Sequence, residues 1–455
     1  MPEKPALPKG TRDFSPDEMI RRNLIFDTIT AVFKQYGYQP IETPSMEFLS
    51  TLLGKYGEEG DRLIFKILNS GDFLSEVGDQ NLASCEPGKL ALQICEKGLR
   101  YDLTVPFARY VVMHQNELTF PFRRYQVQPV WRADKPQKGR YREFYQCDVD
   151  IIGSHSLLNE AELIRIIDRV FSRLGTGVLI RINHRKILIG LAEILGLTDR
   201  FQDLTTALDK TDKTGMENAL KELSDKGIAP SVLDRLRRVL HQKGDHQEKL
   251  DNLKEAFVHS PAGLQGIRET EEVFQYCEPV LRKGELQLDL TLARGLNYYT
   301  GTIIEVVPAS RSIGSICGGG RYDDLTGIFG LEGVSGVGIS FGADRIYDLM
   351  LELNLFPETA STSTRVLFIN FGHKEALRCM ELADQLRDAG INTEIYPDLA
   401  KVKKQIAYAD KKGIPYVVLI GENELTSGTI SIRDMKKGEQ FSTSFETFLN
   451  NLKTQ

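Results

Sequence analysis

Arg123, Arg124, Arg132, Lys138, Arg140 and Arg142 cluster within twenty residues. Any one of them would serve as part of a solvated basic face. Arg132, however, directly follows the apolar run VQPVW, and Arg140 flanks a glycine. An arginine fixed at a strand end suits two-pronged recognition of a phosphate better than a lysine does. Phe144, on the returning run, could stack under a flat base or simply fill the core. Arg294 stands in LARGLNYYTG, an otherwise apolar, strand-like run. A guanidinium there needs an anion, either a core ion pair or a ligand. Arg345, in FGADRIYDLM, sits in the first turn of a helix, where the macrodipole opposes positive charge. A bound anion would remove that conflict, and so would plain solvent exposure. Three carboxylates stand among apolar neighbours: Asp102 in LRYDLTVPF, and Asp148 and Asp150 in YQCDVDIIG. Burying them is costly without a partner cation or amine. Asp148 and Asp150 share strand parity and so point to one face. For Asp148, a structural salt bridge to a nearby arginine is the simpler reading.

Several familiar chemistries are excluded. There is no G-x-x-x-x-G-K-[ST] phosphate loop, and GLEGVSGVGISFG does not contain G-x-G-x-x-G. The seven histidines show no metal-ligand spacing. The stretch from Gly338 to Gly342 does match G-x-S-x-G around Ser340. A nucleophile elbow also needs an acid and then a histidine downstream. The only later histidine is His373, beyond a polar linker, so a hydrolase is disfavoured.

The elements that must position these residues can be read along the chain. Ser15 and Pro16 start a helix that ends near Gly37. YQPIETPSMEF reads as a short strand. FRRYQVQPVWRAD and YREFYQCDVDIIG are two alternating runs joined by the short, basic KPQKGR, a hairpin with a positive tip. A helix (NEAELIRIIDRVFSRL) and a strand (VLIRINH) follow. Residues 196–283 are charge-rich and helical in pattern. Strands resume over 285–307, CGGGRYDDL reads as a loop leading into a helix, and GVSGVGISFGADRIYDLM as strand, glycine break and helix. After the polar stretch PETASTSTR (357–365), strands and helices alternate in the manner of parallel βαβ crossovers, a separate small α/β domain.

The chain has 455 residues, enough for two to four domains, with 41% hydrophobic and 26% charged residues, as in ordinary globular proteins. A net charge of −6 gives no bulk attraction for nucleic acid, although KVKKQIAYADKK (401–412) is locally basic. The six cysteines (Cys85, Cys95, Cys147, Cys277, Cys317, Cys379) form no C-x-x-C pair. With no apolar leader and no membrane-length apolar run, the expected location is the cytoplasm, with no membrane partner and reduced thiols.

Taken together, these segments resemble the class II aminoacyl-tRNA synthetases, and within them the histidyl-tRNA synthetase family, over nearly the whole chain. YGYQPIETPSMEF resembles motif 1, the family's dimer element. The run from FRRYQVQPVW to YQCDVDIIG resembles motif 2, and GVGISFGADRI motif 3. LARGLNYYTG and CGGGRYDDL resemble the two histidine-specific signatures. The resemblance implies an α+β catalytic domain built on a mixed, mainly antiparallel sheet, a helical insertion and a C-terminal α/β anticodon-binding domain. The corresponding boundaries are 1–195 and 284–357 for the catalytic core, 196–283 for the insertion and 365–455 for the anticodon domain. It implies a histidine–tRNA ligase that makes histidyl-adenylate and pyrophosphate from histidine and ATP, then transfers histidine to the 3′ end of its tRNA. The implied enzyme is a homodimer that uses Mg2+ bound mainly through the ATP phosphates and has no dealings with DNA.

The resemblance also assigns roles. Arg294, Arg132 and Arg345 are the implied catalytic cations. Arg132 resembles the α-phosphate arginine, Arg140 and Arg345 the β/γ-phosphate contacts, and Phe144 the adenine-stacking ring. Asp102, Leu103, Thr104, Arg132, Gln146 and Arg294 correspond to the groups around the amino and carboxylate ends of histidine. Asp150, Tyr298, Tyr299 and Tyr322 correspond to the imidazole pocket. Lys401, Lys403 and Lys404 are the implied tRNA contacts. Asn297 departs from the aspartate common in RGLDYY, while Asp102 and Asp150, where another branch has glutamate, fit an alternative branch. The competing reading is a catalytically silent, synthetase-like regulatory subunit of ATP phosphoribosyltransferase. Such subunits typically lose parts of the arginine set and the C-terminal domain, which this chain keeps.

Overall fold

The computed structural model describes residues 4–74, 77, 87–137, 139–242, 244–293, 298–310, 313–357 and 363–454. Arg294, Asn297, Lys138 and Cys85 lie outside them. The chain divides into two compact units, one of Met1–Arg12 with Ile25–Leu355, the other of Asp13–Leu24 with Phe356–Gln455.

The strands of the first unit are β1 (Gln39–Pro40), β2 (Met46–Phe48), β3 (Lys66–Ile67), β4 (Lys97–Leu99), β5 (Phe122–Trp131), β6 (Glu143–Ile152), β7 (Val178–His184), β8 (Gly284–Leu288), β9 (Thr302–Pro308), β10 (Cys317–Tyr322) and β11 (Gly336–Gly342). Eight of them form one sheet in the order β1-β5-β6-β11-β10-β9-β7-β8. Only its two outer pairs, β1 with β5 and β7 with β8, are parallel. The others are antiparallel, so the sheet is mixed and mainly antiparallel as expected. A small sheet, β2-β4-β3, stands apart.

Alternation along β6 and β11 sorts the two faces of the large sheet. Cys147, Val149 and Ile151 pair with Phe341, Ile339 and Val337, and all are buried. Phe341 packs against Phe33 of helix Pro16–Gln35 and Phe171 of helix Leu158–Arg173, with ring centroids 5.8 Å away in each case. Gln146, Asp148 and Asp150 take the opposite face, paired with Gly342, Ser340 and Gly338. This second face carries the polar groups.

Three local expectations change. YQPIETPSMEF is not one strand: β1 and β2 lie in different sheets. Pro44 has no N–H to give a ladder, and the Thr43 N–H goes to Gln128 Oε1 at 3.3 Å instead. The strand expected from residue 285 ends at Leu288. There the Asp289 side chain takes both the backbone N–H (2.9 Å) and the hydroxyl (2.7 Å) of Thr291, making a turn in place of a ladder. CGGGRY is not a loop but strand β10, pressed between β9 and β11. Glycine has poor strand propensity, yet it permits the backbone approach that this position demands. Among the described residues, every element between β7 and β8 is helical.

The second unit holds β12 (Val366–Phe368), β13 (Thr393–Ile395), β14 (Tyr416–Leu419), β15 (Ile430–Asp434) and β16 (Gln440–Thr443), ordered β13-β12-β14-β15-β16. β12 is parallel to β13 and β14, across helices His373–Asp388 and Val402–Lys411. The crossover pattern stops there, since β14–β15 and β15–β16 are antiparallel. β15 and β16 are joined by a tight hairpin, in which Asp434 Oδ1 accepts the N–H groups of Lys436 and Lys437 at 3.0 Å. Two antiparallel strands need no crossover. Helix Pro16–Gln35 opens on a capping box, with Glu18 N–H on Ser15 Oγ at 3.3 Å and Ser15 N–H on Glu18 Oε2 at 2.7 Å. No helix among the described residues is long and apolar enough to cross a membrane.

Candidate active site

On the polar face of the large sheet, β5, β6, β11 and β10 align their residues in rows. One row runs Arg124–Asp150–Gly338–Gly320, and the next Gln126–Asp148–Ser340–Gly318. Apart from Ser340 on β11, the side chains come from β5 and β6, and the glycines leave them room. A Cβ on Gly338 would fall 1.8 Å from Asp150 Oδ1, and one on Gly320 would fall 3.1 Å from the Tyr299 ring.

Above these rows lies a cavity of about 270 Å³ lined by Arg132, Arg140, Phe144, Gln146, Ser340 and Arg345, among others. A second, of about 530 Å³, shares Arg132 and Arg345 with it and reaches Tyr299. Arg132 follows the last residue of β5. Its Nε donates to the Tyr101 carbonyl at 3.0 Å, and its guanidinium lies 4.3 Å from the Tyr101 ring and 5.2 Å from the Phe144 ring. Phe144 is half-buried and faces the cavity, so the core-filling alternative does not apply. Arg345 is in the first turn of helix Ala343–Glu352. It donates to Gly139 O at 2.9 Å and Ser315 O at 2.6 Å, so it is not simply solvent-facing. Arg140 is more exposed and pairs with Asp134 at 2.8 Å. The tip that carries it is closed by reciprocal backbone bonds between Gln137 and Arg140.

Gln146 Nε2 donates to Ser340 Oγ at 2.8 Å. Its Oε1 is buried with no hydrogen-bond partner among the described residues, an acceptor open to an incoming N–H. Ser340 lies inside β11 rather than in a strand-to-helix elbow, which removes the remaining basis for a hydrolase.

Asp102 is buried just before helix Thr104–Met113. Its Oδ1 accepts from Tyr56 O–H at 2.9 Å and Val105 N–H at 3.1 Å, and its Oδ2 from Tyr298 O–H at 3.4 Å. Burial pushes its carboxyl above the usual range, against these donors. Leu103 is fully buried and Thr104 half-buried beside it. Tyr298 meets Tyr299 and Tyr322 edge-on, with centroids 5.0 and 6.2 Å away. Tyr322 O–H donates to Asp150 Oδ1 at 2.6 Å. Asp102, Tyr298, Tyr322 and Asp150 thus form one connected wall.

The salt bridge expected for Asp148 belongs mainly to Asp150. Arg124 Nη2 is 2.8 Å from Asp150 Oδ2 and 4.0 Å from Asp148 Oδ2. The β5–β6 register sets this choice by placing Arg124 directly opposite Asp150. Burial raises both carboxyls, with Arg124 opposing, and Asp148 is pushed up to about 7. Lys401, Lys403 and Lys404 are all exposed at the start of helix Val402–Lys411 in the other unit. Arg294, expected among the cations, lies outside the described residues.

Tyr56 was not singled out by sequence reasoning, and Arg124 was named only as one of a basic cluster. Tyr56 sits in GKYGEEG, which has no periodicity to mark it as buried. Arg124 could have been found, because it shares strand parity with Gln126 and faces the two aspartates once the hairpin register is known.

A model of the family described as histidyl-tRNA synthetase matches residues 10–75 and 96–346, and one described as anticodon binding domain matches 365–455. A histidine–tRNA ligase of Phocaeicola vulgatus is 58% identical over 440 residues, covering 97% of each chain. The crystal structure of histidyl-tRNA synthetase from a Nostoc species superposes with a TM-score of 0.84 at 30% identity, over 99% of both chains. A Bacillus halodurans structure described as ATP phosphoribosyltransferase regulatory subunit/histidyl-tRNA synthetase shares the fold, with a TM-score of 0.71 at 22% identity over 90% of this chain and 97% of that one. With both parts of the chain matched and more than half its residues identical to a full-length relative, this chain belongs to the histidyl-tRNA synthetase family of class II aminoacyl-tRNA synthetases.

Proposed function

We propose that the chain activates histidine with ATP in the cavity above β6 and β11, then passes the histidyl group to the 3′ end of its tRNA. The observation that carries this reading is the meeting of Arg132, Arg345, Phe144 and Gln146 on one cavity. Attack of a carboxylate on the α-phosphate brings two anions together and builds further charge in the transition state. Fixed cations aimed at that charge are the main lever a protein has. Arg132, held by Tyr101 and stacked between two rings, would meet the α-phosphate. Arg140 and Arg345 would take the β- and γ-phosphates, and Phe144 the adenine. The open Oε1 of Gln146 and the Asp102 carboxylate would accept from the α-amino group. Asp150, Tyr298, Tyr299 and Tyr322 would read the imidazole, with Leu103 and Thr104 closing the amine end. No covalent protein nucleophile is required, because positioning carries the rate.

ATP is the substrate, and Mg2+ would come with its phosphates. The cavity carboxylates favour this: Asp134 is held by Arg140, and Asp344 by Arg12 and the Tyr145 N–H. A cation carried this way would neutralise part of the β- and γ-phosphate charge.

We further assign the catalytic core to 1–195 and 284–357, the insertion to 196–283 and anticodon binding to 365–455. A homodimer is supported by the apolar Met46 and Phe48, more than half exposed on β2 within the motif 1 resemblance. Among the described residues, the buried cysteines Cys95, Cys277, Cys317 and Cys379 form no disulfide, which fits a reducing cytoplasm. The regulatory-subunit reading has less support, since the relative with 58% identity is a ligase.

Histidine-dependent ATP–pyrophosphate exchange tests the proposal, and folded protein without exchange overturns it. Arg294→Ala should leave the ATP KM within about twofold yet cut exchange about a hundredfold, the scale of one lost oriented transition-state donor. An unchanged rate would remove Arg294 from the reaction centre.

A further inference from the structure

Arg140 and Arg345 stand on different elements, the loop 132–142 and the first turn of helix Ala343–Glu352. To act on one triphosphate they must be held in register. Arg345 itself links the two elements through Gly139 O at 2.9 Å. Tyr141 O–H adds a bond to Asp348 Oδ2 at 3.2 Å.

A short stretch near the N-terminus, Lys9–Arg12, braces both elements from behind. The Arg142 N–H donates to Gly10 O at 2.9 Å, and its guanidinium donates to Lys9 O at 3.3 Å and Asp134 O at 3.0 Å. Gly10 has φ +90°, and a Cβ there would fall 2.8 Å from Arg142 Cγ and 2.9 Å from Pro136 Cγ. The stretch therefore lies flat against the loop. Two residues on, the Arg12 guanidinium sits 3.3 Å from the centroid of the Tyr141 ring and forms an ion pair with the carboxylate of Asp344.

Asp344 immediately precedes Arg345 and is buried. Its other oxygen accepts the N–H of Tyr145 at 2.9 Å, so it also ties the helix start to β6. A carboxylate at a helix N-terminus suits the macrodipole, whereas the neighbouring Arg345 opposes it. Holding Asp344 in place is thus part of holding Arg345 there. A guanidinium can do this while lying flat on an aromatic ring, which a lysine cannot match.

We infer that Arg12 is a positioning residue for the ATP triphosphate: wedged between Tyr141 and Asp344, it locks the loop to the helix so that Arg140 and Arg345 face the same phosphates. This rests on the assignment of those two arginines to the β- and γ-phosphates. Once the adenylate has formed, pyrophosphate has left and the brace has nothing further to position. Arg12 should therefore matter for activation and not for transfer.

The test uses the full chain and two assays, pyrophosphate exchange and single-turnover transfer from preformed histidyl-adenylate to tRNA. Arg12→Gln should raise the ATP KM about tenfold or more, on the scale expected when reacting groups shift by a fraction of an ångström. The histidine KM and the transfer rate should stay near wild type, while the melting temperature falls because the buried Asp344 carboxylate loses its cation. Arg12→Lys, which keeps the pair with Asp344 but loses the flat stack, should be intermediate. An unchanged ATP KM, or equal loss in both assays, overturns the inference. If Arg12→Gln does not fold, Tyr141→Leu set against Tyr141→Phe decides: both lose the hydroxyl bond to Asp348, but only the leucine loses the stack and should raise the ATP KM further. Arg345→Ala separates the two levels. If it leaves the ATP KM unchanged, the phosphate assignment fails. If it raises the ATP KM while Arg12→Gln is silent, only the Arg12 inference fails.

Discussion

Arg124 is wholly buried and serves two carboxylates at unequal distances. One cation cannot fully offset two buried anions, and burial disfavours the charged form of each. Asp150 has the shorter pair and the Tyr322 hydroxyl, which leaves Asp148 to hold its proton up to about 7. In the unfolded chain an aspartate loses that proton near pH 4. Between about pH 4 and 7 the folded state therefore binds more protons than the unfolded state, and this group's contribution to stability declines as pH rises. Asp148→Asn removes that decline. The melting temperature of the variant relative to wild type should climb from pH 5 to pH 8, by the equivalent of about 1 kcal/mol or more. A difference that stays flat with pH would show that Asp148 ionises normally.

β10 and β11 act through what they lack. Gly336 and Gly338 on β11 are notches: a Cβ at the first would meet the Tyr322 ring at 2.3 Å, and at the second Asp150 Oδ1 at 1.8 Å. The strand pairings place these glycines directly beside the side chains they admit. Gly338→Ala should push Asp150 away from Arg124 and Tyr322. The expected result in pyrophosphate exchange is a histidine KM raised about tenfold or more, as when a buried polar partner is lost, with the ATP KM little changed. Equal KM values for variant and wild type would mean that Asp150 does not touch the substrate.

At the scale of the molecule, the groups around the candidate activation site lie in one unit and the exposed lysines in the other. Lys401, Lys403 and Lys404 stand at a helix N-terminus, where the dipole opposes them and a polyanion would relieve the conflict. The double change Lys403→Glu with Lys404→Glu should raise the tRNA KM about tenfold or more, by loss of backbone charge pairing, and leave pyrophosphate exchange alone. Equal damage to both would take this helix out of tRNA binding.

By itself, the sequence determined the chemistry that is local in the chain. The hairpin with its basic tip, the Ser15 cap, Arg132 after its strand and Arg345 at its helix start all follow from period, turn residues and capping, which act over a few positions. The family signatures are contiguous too, so they were legible without coordinates. What only the tertiary structure decided depends on strand register and on the packing of segments far apart in the chain. Register placed Arg124 nearer Asp150 than Asp148 and turned CGGGRY from an apparent loop into a strand that leaves space for its neighbours, while packing brought Tyr56 to Asp102 and Arg12 to Asp344. No local propensity encodes such partners, because each belongs to a segment whose position is fixed by the burial of other side chains.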